Sequence, residues 1–115
     1  MTDIKIIKEK ISLAELKTIA KERFGDMVKA VVDMEAGIMA IGGDLHADEE
    51  AVLLEQGSKQ DNLWGINIYT EKFGAERIEF DSMINYRPRL NNRSKFVEDN
   101  KLRQKIIELV NNLIL

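Results

Sequence analysis

Two stretches of this chain alternate with a period of two, a period that fits a strand and no helix. Trp64, Ile66 and Ile68 interleave with Leu63, Gly65, Asn67 and Tyr69. Ile78, Phe80, Ser82, Ile84 and Tyr86 interleave with Arg77, Glu79, Asp81, Met83 and Asn85. Paired antiparallel, the two strands must match face to face. Trp64, Ile66, Ile68, Ile78, Phe80 and Ile84 then share the core side, with Trp64 as its anchor. Asn67, Tyr69, Glu79, Asp81 and Asn85 share the other. Gly65 falls on that polar side near Asp81, where its missing side chain reads either as the floor of a shallow site or as a tight backbone crossing.

More strands are signalled upstream. Ile4–Ile7 is a short β-branched run. Val28–Met34 and Ile38–Ile41 are apolar runs joined by Glu35-Ala36-Gly37, which predicts a hairpin. Glu49–Glu55 fits either a strand turning at Gly57-Ser58 or a short helix capped by Asp48. The strand pattern that resumes at Leu63 favours the strand. Pro88 has no N–H for a ladder, so the last strand ends near Tyr86–Arg87.

Two helices are marked by their ends. Ser12 with Glu15 three residues on is a capping box, followed by Leu13, Leu16, Ile19 and Ala20 at helical spacing and by Gly25. This predicts a helix over 12–24. Glu98 or Asp99 caps a second helix over 99–113, whose apolar stripe is Leu102, Ile106, Leu109, Val110 and Leu113. The whole predicts an α+β fold: an antiparallel β-meander of about five strands, with the N-terminal and C-terminal helices packed on one face. The apolar end Leu113-Ile114-Leu115 must dock on the core or on a second copy, which makes self-association one expectation.

At 115 residues, residues 1–115 are expected to form a single domain with its own core. With no cysteine, thiolate catalysis and Cys-based zinc sites are excluded. No signal-peptide h-region precedes Lys10, and no apolar run approaches the ~20 residues of a bilayer span. The expectation is a cytoplasmic protein with no membrane partner. A formal net charge of −3 gives no general pull towards nucleic acid.

The segments IMAIGGDLHADEEAVLLEQGSKQDNLWGINIY, IEFDSMINYRP, NNRS and VED resemble an uncharacterised family of small prokaryotic proteins known only as a domain of unknown function, a resemblance that covers nearly the whole chain. The resemblance implies a small free-standing domain and brings no reaction, ligand or cofactor.

Chemistry-bearing residues fall in two blocks. Residues 42–62 hold the single histidine among acids, and residues 85–95 hold three arginines and no acid. Asp44, His46, Asp48 and Glu50 alternate; on an extended chain they would share one side and, with Asp81, supply metal ligands or a base. The alternative is a solvated acidic loop. Arg87, Arg89, Arg93 and Lys95, with Asn91, Asn92 and Ser94, form a donor-rich loop suited to phosphate or carboxylate, with Arg87, Arg89, Asn92, Arg93 and Ser94 as the anion-binding candidates. The alternative is an ordered loop whose arginines pair with the acidic block, Glu79 or Asp81. No motif requires a cofactor, although the acidic block admits a divalent metal.

Three functions follow. The first is a binding or interaction domain without a reaction. The second is a small hydrolase or transferase for a phosphorylated ligand, built from both blocks. The third is an RNA or single-stranded DNA binder, which the overall acidity disfavours.

Overall fold

The hairpin organises the sheet. Strands β2 (Met27–Asp33) and β3 (Ile38–Ile41) pair antiparallel, with Val32 opposite Met39. Asp33 holds the turn: its Oδ1 accepts the N–H groups of Glu35 and Ala36 at 2.9 and 3.0 Å. In the computed structural model, which describes residues 3–115, β1 (Lys5–Ile7) pairs with β3 and β4 (Leu63–Tyr69) pairs with β2 along its full length. A short β5 (Ile78–Glu79) pairs with β4 only at Asn67 and Ile68. The result is a five-stranded antiparallel sheet in the order β1-β3-β2-β4-β5.

Period-two alternation splits the sheet into two differently built faces. Val28, Ala30, Val32, Met39, Ile41, Trp64, Ile66 and Ile68 lie on the first. Helix α1 (Leu13–Arg23) covers it with Leu16 and Ala20, and helix α3 (Asn100–Leu113) with Ile106, Val110 and Leu113. Both terminal helices therefore pack on one face, as the sequence led us to expect. Their caps are those read from the sequence: Ser12 accepts the N–H of Glu15, and Asp99 accepts those of Lys101 and Leu102. Of the apolar C-terminus, Leu113 and Ile114 are buried. The chain end is held by Ile11, whose N–H donates to Leu113 O and whose carbonyl accepts from Leu115 N.

The second face carries two corrections. Glu49–Glu55 is no strand; residues His46–Glu55 form helix α2, whose Leu53 packs on Val31, Ile38, Ala40 and Leu63. Its N-cap position is Leu45, with no side-chain cap, and Asp48 instead lies inside the first turn. There its charge faces the positive end of the helix dipole. The strand expected over 77–86 stops at Glu79, and Met83–Asn85 form a 3-10 turn. That turn swings Ile84 away from Trp64 and packs it with Val31 and Leu63 on the α2 side.

Non-local contacts explain why β5 ends early. Gly65 on β4 is a close crossing, not an empty floor: a Cβ there would lie 2.5 Å from both Cβ and Oγ of Ser82. The Asn85 amide grips the same residue from both sides, its Oδ1 accepting Gly65 N–H at 2.8 Å and its Nδ2 donating to Gly65 O at 2.9 Å. Two residues along, Leu63 O accepts from Arg87 Nη2 at 2.5 Å. Side chains thus satisfy the stretch of β4 that β5 does not reach, so no further strand is needed.

Candidate functional site

Polar residues buried on the α2 side of the sheet surround a cleft of about 400 Å³. His46, the first residue of α2, forms one wall and is only 8% exposed. Its Nε2 lies 2.7 Å from Ile66 O. A carbonyl can only accept, so Nε2 carries the proton and Nδ1 is the acceptor of the neutral ring. Burial pulls the imidazole below its usual 6.5, and nearby Lys29 pulls the same way. The Ile66 carbonyl, Asn67 and Asp81 oppose them.

Asn67 on β4 borders the same cleft and is 7% exposed. Its Nδ2 donates to Glu79 Oε1 at 2.8 Å and to Asp81 O at 3.4 Å. Both partners are acceptors, which fixes the amide and turns Oδ1 the other way. Oδ1 is buried and has no donor on it while the His46 ring is neutral, and the Asn67 side chain lies close enough to that ring to favour its protonated form. Lys29, Asp81 and Lys95 stand around the opening, and apolar Leu45 and Met83 form its exposed rim. None of Lys29, Asp81 and Lys95 joins an ion pair among the described residues.

One turn along α2, Glu49 is fully buried. Its Oε2 accepts Gly43 N–H at 2.9 Å, and its Oε1 has no partner. Burial pushes this carboxyl up to about 9, so it is a neutral acid at pH 7. Gly43 makes room for it: a Cβ at that position would sit 3.0 Å from Glu49 Cγ.

The acidic block is dispersed: Asp44 precedes α2, and from His46 onwards successive residues rotate by about 100° around the helix. Asp44 pairs with Arg23 at 3.1 Å, Asp48 is exposed, and Glu50 lies 3.6 Å from Arg87. The one-sided array expected of an extended chain does not form. Among the described residues, no group of three or more His, Asp or Glu side chains stands close enough to hold one metal ion. His46 and Asp81 do meet, in the cleft.

The basic block is mostly spent on itself. Arg87 is buried between Leu63 O, Glu50 and the Trp64 ring, whose centroid is 4.9 Å from its guanidinium carbon. Arg89 pairs with Asp61. Asn92 ties the loop together, donating to the carbonyls of Asn85, Ser94 and Phe96 and accepting Glu98 N–H. Ser94 Oγ accepts Phe96 N–H at 3.2 Å. The Arg93 side chain is exposed, and its backbone N–H donates to Glu98. The two blocks therefore touch at Arg87–Glu50 and Arg89–Asp61, as an ordered loop pairing with acids, and it is Lys95 from the basic block that reaches the cleft.

A wider groove of about 600 Å³ runs past Trp64, Asp61, Glu98 and Asp99. Its acids are engaged: Asp61 with Arg89, Glu98 with Arg93 N–H, and Asp99 in capping α3. The smaller cleft holds Asn67 Oδ1 and the charges of Lys29, Asp81 and Lys95 that join no ion pair among the described residues.

The sequence does not single out Lys29 or Asn67 as candidates, and it groups Lys95 with the donor-rich loop instead of with this opening. Lys29 and Asn67 each interrupt an apolar strand with a polar residue, and that was the available signal. Alternation did place Asn67 and Asp81 on a common face.

A family model for proteins of unknown function, DUF5674, matches residues 5–113, spanning the whole sheet, all three helices and the cleft. The chain belongs to that family. Comparison with curated proteins and with solved structures finds no match. Membership in DUF5674 assigns no reaction, so the cleft itself must carry the functional argument. No helix among the described residues is long and apolar enough to cross a membrane.

Proposed function

We propose that the protein is a binding domain whose ligand enters the cleft between the start of α2 and the Ser82–Ile84 segment. One observation carries this reading: the buried, unpartnered Oδ1 of Asn67. Leaving a desolvated acceptor unpaired costs about 1–3 kcal/mol, and a donor entering the cleft would recover that cost. The neutral His46 Nδ1 is a second acceptor on the same wall. Acceptors converging in a concave, partly apolar site are the usual make-up of a small-ligand pocket.

A hydrolase or transferase has less support. Ser82 Oγ accepts Ile84 N–H and is packed against Gly65, so it is poorly placed as a nucleophile. Arg87 and Arg89, the expected phosphate clamp, are engaged with Glu50 and Asp61.

The test is an amide NMR titration of the full chain against amines, amino acids, hydroxy acids, nucleosides and sugar phosphates. Binding should shift the amide signals of His46, Ala47, Asn67 and Ser82 together, and Asn67→Leu should abolish the shifts while the protein stays folded. If every shift maps outside the cleft, or none of these classes binds, the proposal is wrong.

A further inference from the structure

We propose that the ligand is a zwitterionic α-amino acid with an apolar side chain, an inference that rests on the cleft being the binding site. The unpaired groups around it have three chemistries. Asn67 Oδ1, His46 Nδ1 and the Asp81 carboxylate are acceptors, and an ammonium offers three N–H donors to them. Asn67 cannot turn its amide to supply a donor itself, because Nδ2 is committed to Glu79 and the Asp81 carbonyl. Lys29 and Lys95 are cations with no ion-pair partner among the described residues, which suits a carboxylate. Lys29 Nζ does lie 5.5 Å from the Phe24 ring centroid, a contact that leaves its charge unneutralised. Leu45 and Met83, 56% and 72% exposed, offer apolar surface to a side chain.

The combination selects by exclusion as well as by attraction. A plain amine would meet two lysines with nothing to offer them. A plain acid would meet Asp81 and leave Asn67 Oδ1 unpaired. A neutral His46 adds no cation against the ammonium. The cleft volume of about 400 Å³ is at the small end of ligand pockets, which run to roughly 1,000 Å³.

Calorimetry with L-leucine, 4-methylpentanoate and 3-methylbutylamine tests this directly. Leucine lacks neither charged end, and each analogue lacks one. The analogues should bind roughly tenfold or more weakly, the worth of one charge-assisted hydrogen bond. Asp81→Asn should cost leucine affinity and spare 4-methylpentanoate, while Lys95→Met should cost leucine affinity and spare 3-methylbutylamine. Asp81 and Lys95 are exposed, and matched far-ultraviolet spectra would show that both variants fold. Equal affinity for leucine and either analogue overturns the inference. So does failure of apolar amino acids when another compound class shifts the cleft signals, a result that leaves the binding domain standing. If nothing shifts those signals, both readings fall.

Discussion

Replacing Glu49 by glutamine should make the protein more stable, and more so as pH rises. The carboxyl is buried, with one oxygen on Gly43 N–H and the other unpartnered, and its pKa stands at about 9. In the unfolded chain it titrates near 4.5. Between those values the folded state holds a proton that the unfolded state has released, so stability falls with rising pH. Each pH unit in the window costs about 1.4 kcal/mol, which comes to about 3 kcal/mol at pH 7. Glutamine keeps the shape and the carbonyl that accepts Gly43 N–H, and has no proton to lose. Urea unfolding at pH 5, 7 and 8.5 should show Glu49→Gln ahead by less than about 1, about 3 and about 5 kcal/mol, respectively. A constant difference across that range, or a destabilised variant at pH 8.5, would refute the argument, because it would mean the folded protein holds Glu49 as a carboxylate.

Three further outcomes follow from the same geometry. Gly65→Ala must displace Ser82 or β4, and urea melts should show a loss of about 1–3 kcal/mol; an unchanged midpoint would contradict the close crossing. Arg87→Ala strands Glu50 and Leu63 O, and should cost roughly 3–5 kcal/mol with partial recovery in the Arg87→Ala/Glu50→Gln double variant; a loss below about 1 would mean the guanidinium is free for ligands. His46 should titrate below 6.5 by NMR with Nε2 protonated in the neutral ring. Its contribution to stability is therefore present above 6.5 and lost as pH falls towards the folded value, and a measured pKa above 6.5 would reverse that sign.

How much of this fold the sequence discloses depends on whether each element is specified locally. Ser12, Asp99 and the apolar stripe of α3 act within one or two turns, so both terminal helices are legible. The hairpin is legible for the same reason. Helix α2 is not, because its inward positions are His46, Glu49 and Leu53. Two of the three are polar, and the helical stripe is invisible to any count of apolar residues. The early end of β5 is hidden too, since it depends on Asn85 and Arg87 reaching back to β4. At the site, His46 and Asp81 stood out by residue type and position. Lys29 did not, and Lys95 stood out only as part of the basic loop, because only the folded sheet brings their segments to one opening.

The contrast between the two faces of the sheet bears on where function resides. The face under α1 and α3 is filled by aliphatic and aromatic side chains, the arrangement that maximises stability per residue buried. The face under α2 buries His46, Glu49, Asn67, Ser82 and Asn85 as well. Asn85 and Ser82 have structural partners that account for them, in Gly65 and Ile84. Glu49 has only Gly43 and carries a protonation cost, and Asn67 keeps an acceptor with nothing to accept. A chain able to build one fully apolar face could have used Leu at 49 or Thr at 67 on the other, so stability alone does not explain these choices. Glu49 sits one turn behind His46, on the helix that walls the cleft. A buried neutral acid there adds no anion beside the cleft, so on the proposed reading Asp81 and Asn67 are the acceptors for the ligand's ammonium. On this argument Glu49→Gln, although more stable, should bind leucine as the parent chain does at pH 7. Glu49→Leu should bind equally well only if the acid has no role in holding the start of α2 against Gly43.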